Sequence, residues 1–126
     1  MSQYIDGFVL SVPKDKLAAY KKLATKAGKI WREHGALDYR ECVGDDLEAK
    51  GMVAFPKLAK SKQGEVVIFA YAVFESRKQR DAINKKIMND PRIATLRRDQ
   101  RHLRYQTNGL RRIQEPSPSV RRTEDE

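Results

Sequence analysis

The run VVIFAYAVF, Val66 to Phe74, constrains this chain more than any other stretch. It is nearly continuous in apolar residues, rich in β-branched and aromatic types, and shows no polar alternation. A segment of that kind is a strand covered on both faces, so a core strand is expected at about 65–75. Ser76 follows, and Gln79 stands three residues later, the spacing of a helix N-terminal capping box. Ala82, Ile83 and Ile87 then give a helix at about 77–89 a narrow apolar face. Asp90 and Pro91 form an N-cap and first-turn pair that opens a short helix through Ile93 and Leu96.

Before the core strand lie two more. Residues 3–12, QYIDGFVLSV, alternate Tyr4, Phe8, Leu10 and Val12 on one face with Ile5, Val9 and Ser11 on the other, and read as a strand. Pro13 ends it and suits a helix start. Over about 14–34 the positions Leu17, Tyr20, Ala24, Ala27, Trp31 and His34 recur in steps of three and four, widened by Leu23 and Ile30, while Lys16, Lys21, Lys22, Lys26 and Lys29 fill other positions. That is an amphipathic helix with a basic outer side, and Gly35 is placed to take the left-handed conformation beyond its end. A second strand is expected at about 36–43, with Leu37, Tyr39, Glu41 and Val43 on one face and Asp38, Arg40 and Cys42 on the other. Between it and the core strand, residues 47–63 read as a long excursion anchored by Met52, Val53, Phe55 and Leu58.

Four polar residues stand among these apolar faces. Asp6 shares the face of Tyr4 and Phe8; near a strand end it either reaches water, forms an ion pair, or serves a site. Glu41, beside Tyr39, must pair, accept hydrogen bonds or take up a proton if its face is buried, and a carboxyl group so placed suits general acid or base work. His34 ends the helical stripe, where it can cap carbonyls or face a pocket as a proton donor or acceptor. Asp6, His34, Tyr39 and Glu41 are therefore the candidate pocket residues, with no catalytic role assigned to any of them. Cys42 reads as a small buried thiol. Asp45, Asp46 and Glu48 do not have the spacing of a calcium loop, and no metal or cofactor is expected.

The chain has 126 residues, one cysteine and a formal net charge of +9. That is length for one domain, excludes an intrachain disulfide, and offers no apolar run long enough to span a membrane or serve as a signal peptide. A cytoplasmic protein without a membrane partner is the expectation. Residues 1–96 hold 18 basic and 12 acidic groups, a net +6, with 13 of the basic ones lysine. Residues 97–126 hold 8 basic and 5 acidic groups, and every basic residue there is arginine. Composition changes near Leu96, and the end, PSPSVRRTEDE, is that of a disordered tail.

The stretches YIDGFV from Tyr4, VPKDK from Val12, REHGALDYRECVGDD from Arg32 and MNDPRI from Met88 resemble the YbaA-like family of bacterial proteins of unknown function, domain of unknown function 1428. The resemblance covers about residues 1–96. It implies an α+β fold, a ferredoxin-like βαββαβ protomer whose sheet pairs with a second copy as a homodimer in a dimeric α/β barrel, a superfamily holding small monooxygenases, isomerases and proteins with no known reaction. It supplies no agreed active site; some members carry a label linked to signal-recognition RNA. The family's last strand resembles FD-x-KRM-x-YGGF, which this chain lacks. Yet His102 to Gln114, HLRYQTNGLRRIQ, can be encoded so that the next reading frame spells IFDTKRMVYGGF. The expectation is a ferredoxin-like domain at 1–96 and a basic tail at 97–126, aberrant or disordered, in which a frameshift has altered or removed the final strand.

Three functional readings follow. A cofactor-free small-molecule site, enzymatic or not, would lie between sheet and helices around Asp6, Tyr39 and Glu41. Alternatively, RNA or another polyanion would bind the basic helix surface at Lys21, Lys22 and Lys26. The third is a structural dimer without a ligand.

Overall fold

A computed structural model describes residues 2–104 and 120–121. Strand β1 is Tyr4–Pro13, followed by a 3-10 turn at Lys14–Lys16 and helix α1 at Leu17–Glu33. Next come β2 at Asp38–Val43, the one-turn helix α2 at Phe55–Leu58, and β3 at Glu65–Phe74. Helices α3, Arg77–Met88, and α4, Pro91–Arg104, follow, and Val120–Arg121 forms a short β4. The fold is α+β. The core run is β3, paired antiparallel with β1 through Tyr4↔Phe74 and Val12↔Val66, and with β2 through Tyr39↔Ala72 and Glu41↔Ala70. The sheet order is β2-β3-β1-β4, with Ile5 opposite Val120.

That register sorts the side chains into two layers. Tyr4, Asp6, Phe8, Leu10 and Val12 share a face with Phe74, Ala72, Ala70 and Ile68 and with Tyr39, Glu41 and Val43. The three longer helices cover this inner face. Tyr4, Ala72 and Phe74 meet Ile30 of α1, Ile83 and Ile87 of α3 and Ile93 of α4 in one buried cluster. Leu10, Val12 and Ile68 meet Tyr20 of α1 in another. Among the described residues, the opposite, outer face is met by α2, where Phe55 stacks on Phe69 at 5.8 Å between ring centroids, and Ser11 reaches Ser61 and the Ala59 carbonyl. Met52, Val53, Leu58 and Phe69 stay exposed there or in the adjoining excursion.

Local signals explain the element ends. Gly35, at φ +116°, follows α1 as expected. Its N–H donates to the Arg32 carbonyl and that of Ala36 to the Trp31 carbonyl, the paired bonds of a glycine-terminated helix. The Ser76 hydroxyl accepts from the Gln79 N–H at 3.1 Å, and the Asp90 carboxylate accepts from the Arg92 N–H at 2.9 Å. Two expectations are corrected. Cys42 is exposed, not buried, because β2 is an edge strand and none of the described residues covers its outer side at that point. The short last helix instead continues to Arg104, since the arginine-rich sequence beyond Leu96 has adequate helix propensity. Apart from Val120–Arg121, the rest of the expected tail, including most of His102 to Gln114, lies outside the described residues.

Candidate functional site

Between the inner face and the helices lies a cavity of about 300 Å³, at the small end of the usual range for ligand sites. Its floor is sheet: Asp6, Phe8 and Leu10 of β1, Tyr39 and Glu41 of β2, and Ala70 of β3. Its roof is helix, with Tyr20, Ala24, Ala27 and Trp31 from α1, Asn84 and Met88 from α3, and Ile93, Arg97 and Gln100 from α4. The space exists because α1 presents small residues to the sheet. Ala24, Ala27 and Gly28 lie between the large Tyr20 and Trp31, and a Cβ at Gly28 would stand only 3.0 Å from Tyr39 Cδ1.

Three of the four candidate residues meet here. Glu41 is the centre. Tyr39 donates its hydroxyl to Glu41 Oε2 at 2.7 Å, and Tyr20 donates to Oε1. The carboxylate is thus held between two phenols, one from its own strand and one from α1. The Tyr39 hydroxyl has its pKa raised well above the ordinary tyrosine value, first by burial and then by the Glu41 charge and hydrogen bond, so it remains a proton donor across the neutral range. The Tyr39 ring lies against Trp31 with centroids 5.4 Å apart. The Arg32 guanidinium holds the Tyr39 carbonyl at 3.1 Å, fixing strand to helix at that point.

Asp6 also lines the cavity and does not reach water, being 2% exposed. Arg80 of α3 approaches it at 3.6 Å. The same guanidinium donates to the Tyr4 hydroxyl at 3.0 Å and lies over the Tyr4 ring. Asp6 is thereby part of an ion pair tying β1 to α3, and the same guanidinium also reaches Asp81 at 3.1 Å. His34 does not line the cavity. Its Nε2 is 2.8 Å from Asp90 Oδ2, where it joins the end of α1 to the start of α4. Arg92 bonds the same carboxylate and also reaches Glu33 at 2.7 Å. The Arg92 guanidinium foremost, then His34, holds the Asp90 carboxyl well below the usual carboxylate range.

Sequence reasoning placed Tyr20 in the apolar stripe of α1 without seeing it as a partner of Glu41, and it missed Arg80 altogether. The i, i+2 spacing of Tyr39 and Glu41 on one strand face was the legible half of the arrangement. Among the described residues no group of three or more histidine, cysteine, aspartate or glutamate side chains could hold a metal, and no helix is long and apolar enough to cross a membrane.

The family described as "Protein of unknown function (DUF1428)" matches residues 3–103, and the chain belongs to it. The uncharacterised protein YbaA of Escherichia coli K12 is 40% identical over 91 residues, covering 72% of this chain and 78% of that protein. YbaA from Escherichia coli O157:H7 and from Shigella flexneri match to the same extent.

Proposed function

We propose that the cavity between sheet and helices is a cofactor-free small-molecule site with Glu41 as the group its ligand meets. The observation that carries this reading is the Tyr20–Glu41–Tyr39 arrangement lining a space of about 300 Å³. Convergent polar groups in an otherwise apolar cavity are the usual signature of a ligand site. The chemistry within reach of these side chains alone is proton transfer, with a carboxylate to accept and a phenol to donate.

The scaffold in this proposal is a ferredoxin-like βαββαβ protomer, supported by the order β2-β3-β1-β4 and by α1 and α3 on one face. Its outer face pairs with a second copy, as in a dimeric α/β barrel. Phe69 and Phe55, stacked on each other and each 37% exposed, support that pairing, since exposed apolar surface on a sheet face favours association.

Fragment screening by protein-observed NMR tests the site. Ligands should shift the resonances of Tyr20, Trp31 and Tyr39, and Ala24→Phe, which fills the roof, should abolish those shifts while leaving the fold intact. Ligands that shift only surface residues, or that bind Ala24→Phe equally well, would overturn it. A second reading, RNA or polyanion binding, has the exposed Lys21, Lys22 and Lys26 of α1 in its support. It requires affinity for single-stranded RNA that falls steeply with salt.

A further inference from the structure

We infer that the cavity takes an organic cation: a protonated or quaternary amine carried on a small apolar body. This rests on the cavity being a ligand site, and it goes further in naming the ligand's charge. The argument begins with how each carboxylate in the lining is compensated. Asp6 has the Arg80 guanidinium 3.6 Å away, reaching it from α3. Among the described residues Glu41 is met by hydroxyls: Tyr20 on one oxygen and Tyr39 on the other. A hydroxyl supplies a hydrogen bond and no countercharge. Among the described residues no lysine, arginine or histidine pairs with Glu41.

A carboxylate offers about four acceptor positions, so two remain after the tyrosines are served. The surroundings then select what can use them. Phe8, Trp31 and Tyr39 line the same space, and aromatic faces attract an ammonium group while giving nothing to an anion. The basic residue in the described lining is Arg97, which is exposed and donates to Met88 Sδ at 2.8 Å. A neutral ligand would fill the volume without compensating Glu41, and an anion would meet two carboxylates. An amine on an aromatic or short aliphatic body satisfies both the charge and the walls.

The test uses four probes of similar shape: phenethylamine, phenethyltrimethylammonium, 2-phenylethanol and 3-phenylpropanoate. Binding is followed on the full chain by calorimetry and by the emission of its single tryptophan, Trp31. The two cations are expected to bind at least about tenfold more tightly than the alcohol, and the carboxylate more weakly still. Glu41→Gln should erase the preference for cations while leaving 2-phenylethanol bound. Tyr39→Phe, which keeps the Glu41 charge and the aromatic wall, should retain it. If the alcohol or the carboxylate binds as tightly as the cations, or if Glu41→Gln keeps the preference, the ligand class is wrong although the cavity reading survives. If no probe perturbs Trp31 at millimolar concentration, both fall together.

Discussion

Gly28→Ala should be destabilising, although the same change in an ordinary helix stabilises. Gly28 is buried in the middle of α1. Replacing a mid-helix glycine by alanine normally gains about 0.8–1 kcal/mol. Here the new methyl would lie 3.0 Å from Tyr39 Cδ1, with the Arg32 guanidinium nitrogens at 3.5 Å. The Tyr39 ring cannot retreat freely, because Trp31 stands on it at 5.4 Å and its hydroxyl is tied to Glu41. Overpacking in such a position costs about 1–3 kcal/mol. The net expectation is a loss of roughly 0–2 kcal/mol, or several degrees in melting temperature for a chain of this size.

The more specific consequence is local. As the single tryptophan, Trp31 reports its own contact with Tyr39, so its emission and the near-ultraviolet circular dichroism should both change in Gly28→Ala. Chemical denaturation gives the stability difference and fluorescence gives the displacement. A variant stabilised by about 1 kcal/mol, with Trp31 emission unaltered, would show that α1 does not press on Tyr39 and would refute the packing that defines the cavity wall.

Three other outcomes are expected. Asp90→Asn should flatten the acid limb of the stability curve: the folded-state pKa of Asp90 is depressed below its ordinary 3.8, so its contribution is present above about pH 4 and is lost as pH falls towards the depressed value. A urea titration from pH 3 to pH 7 reads the difference. Phe69→Glu, on the outer face, should leave the helical circular dichroism intact and weaken self-association by at least about 2 kcal/mol, roughly thirtyfold; light scattering that finds wild type and variant equally monomeric removes the proposed dimer. Sequencing the gene should find IFDTKRMVYGGF in the frame one nucleotide beyond His102 to Gln114, and the chain rebuilt in that frame should be more stable by at least about 2 kcal/mol, because a full last strand would cover backbone donors and acceptors along β1. If other codons stand there, the frameshift proposal is dead.

The elements were legible because local physics determines them. Period-two alternation located β1 and β2, an unbroken apolar run located β3, and Gly35 and Ser76 marked helix ends through backbone needs that few other residues meet. What escaped was set by partners remote in sequence. His34 looks like a pocket histidine on the stripe of α1, yet it faces Asp90 at the start of α4. Nothing near His34 in the sequence announces that pairing. Asp6 had a readable environment but an unreadable partner, since Arg80 sits on a helix whose short apolar face gave no hint that a guanidinium would turn inward. Cys42 was misjudged because alternation assigns a residue to a face without saying whether that face is covered.

The same distinction explains why Asp6 and Glu41, both on the inner face, differ in what they can do. Beside Asp6, α3 supplies a guanidinium 3.6 Å away that compensates the carboxylate. From α1 the cavity beside Glu41 is lined by Tyr20, Ala24 and Ala27: one hydroxyl, and then two small side chains. A carboxylate beside small residues leaves a volume that the described residues do not fill, and cavities bounded by polar groups are where water or a ligand completes the hydrogen bonding. The proposed site therefore depends less on the acidic residue, which the sequence displays openly, than on the small residues on the helix opposite it. Enlarging Ala24 or Ala27 should abolish ligand binding even with Glu41 and both tyrosines intact, whereas a site made only of those three polar groups would tolerate it.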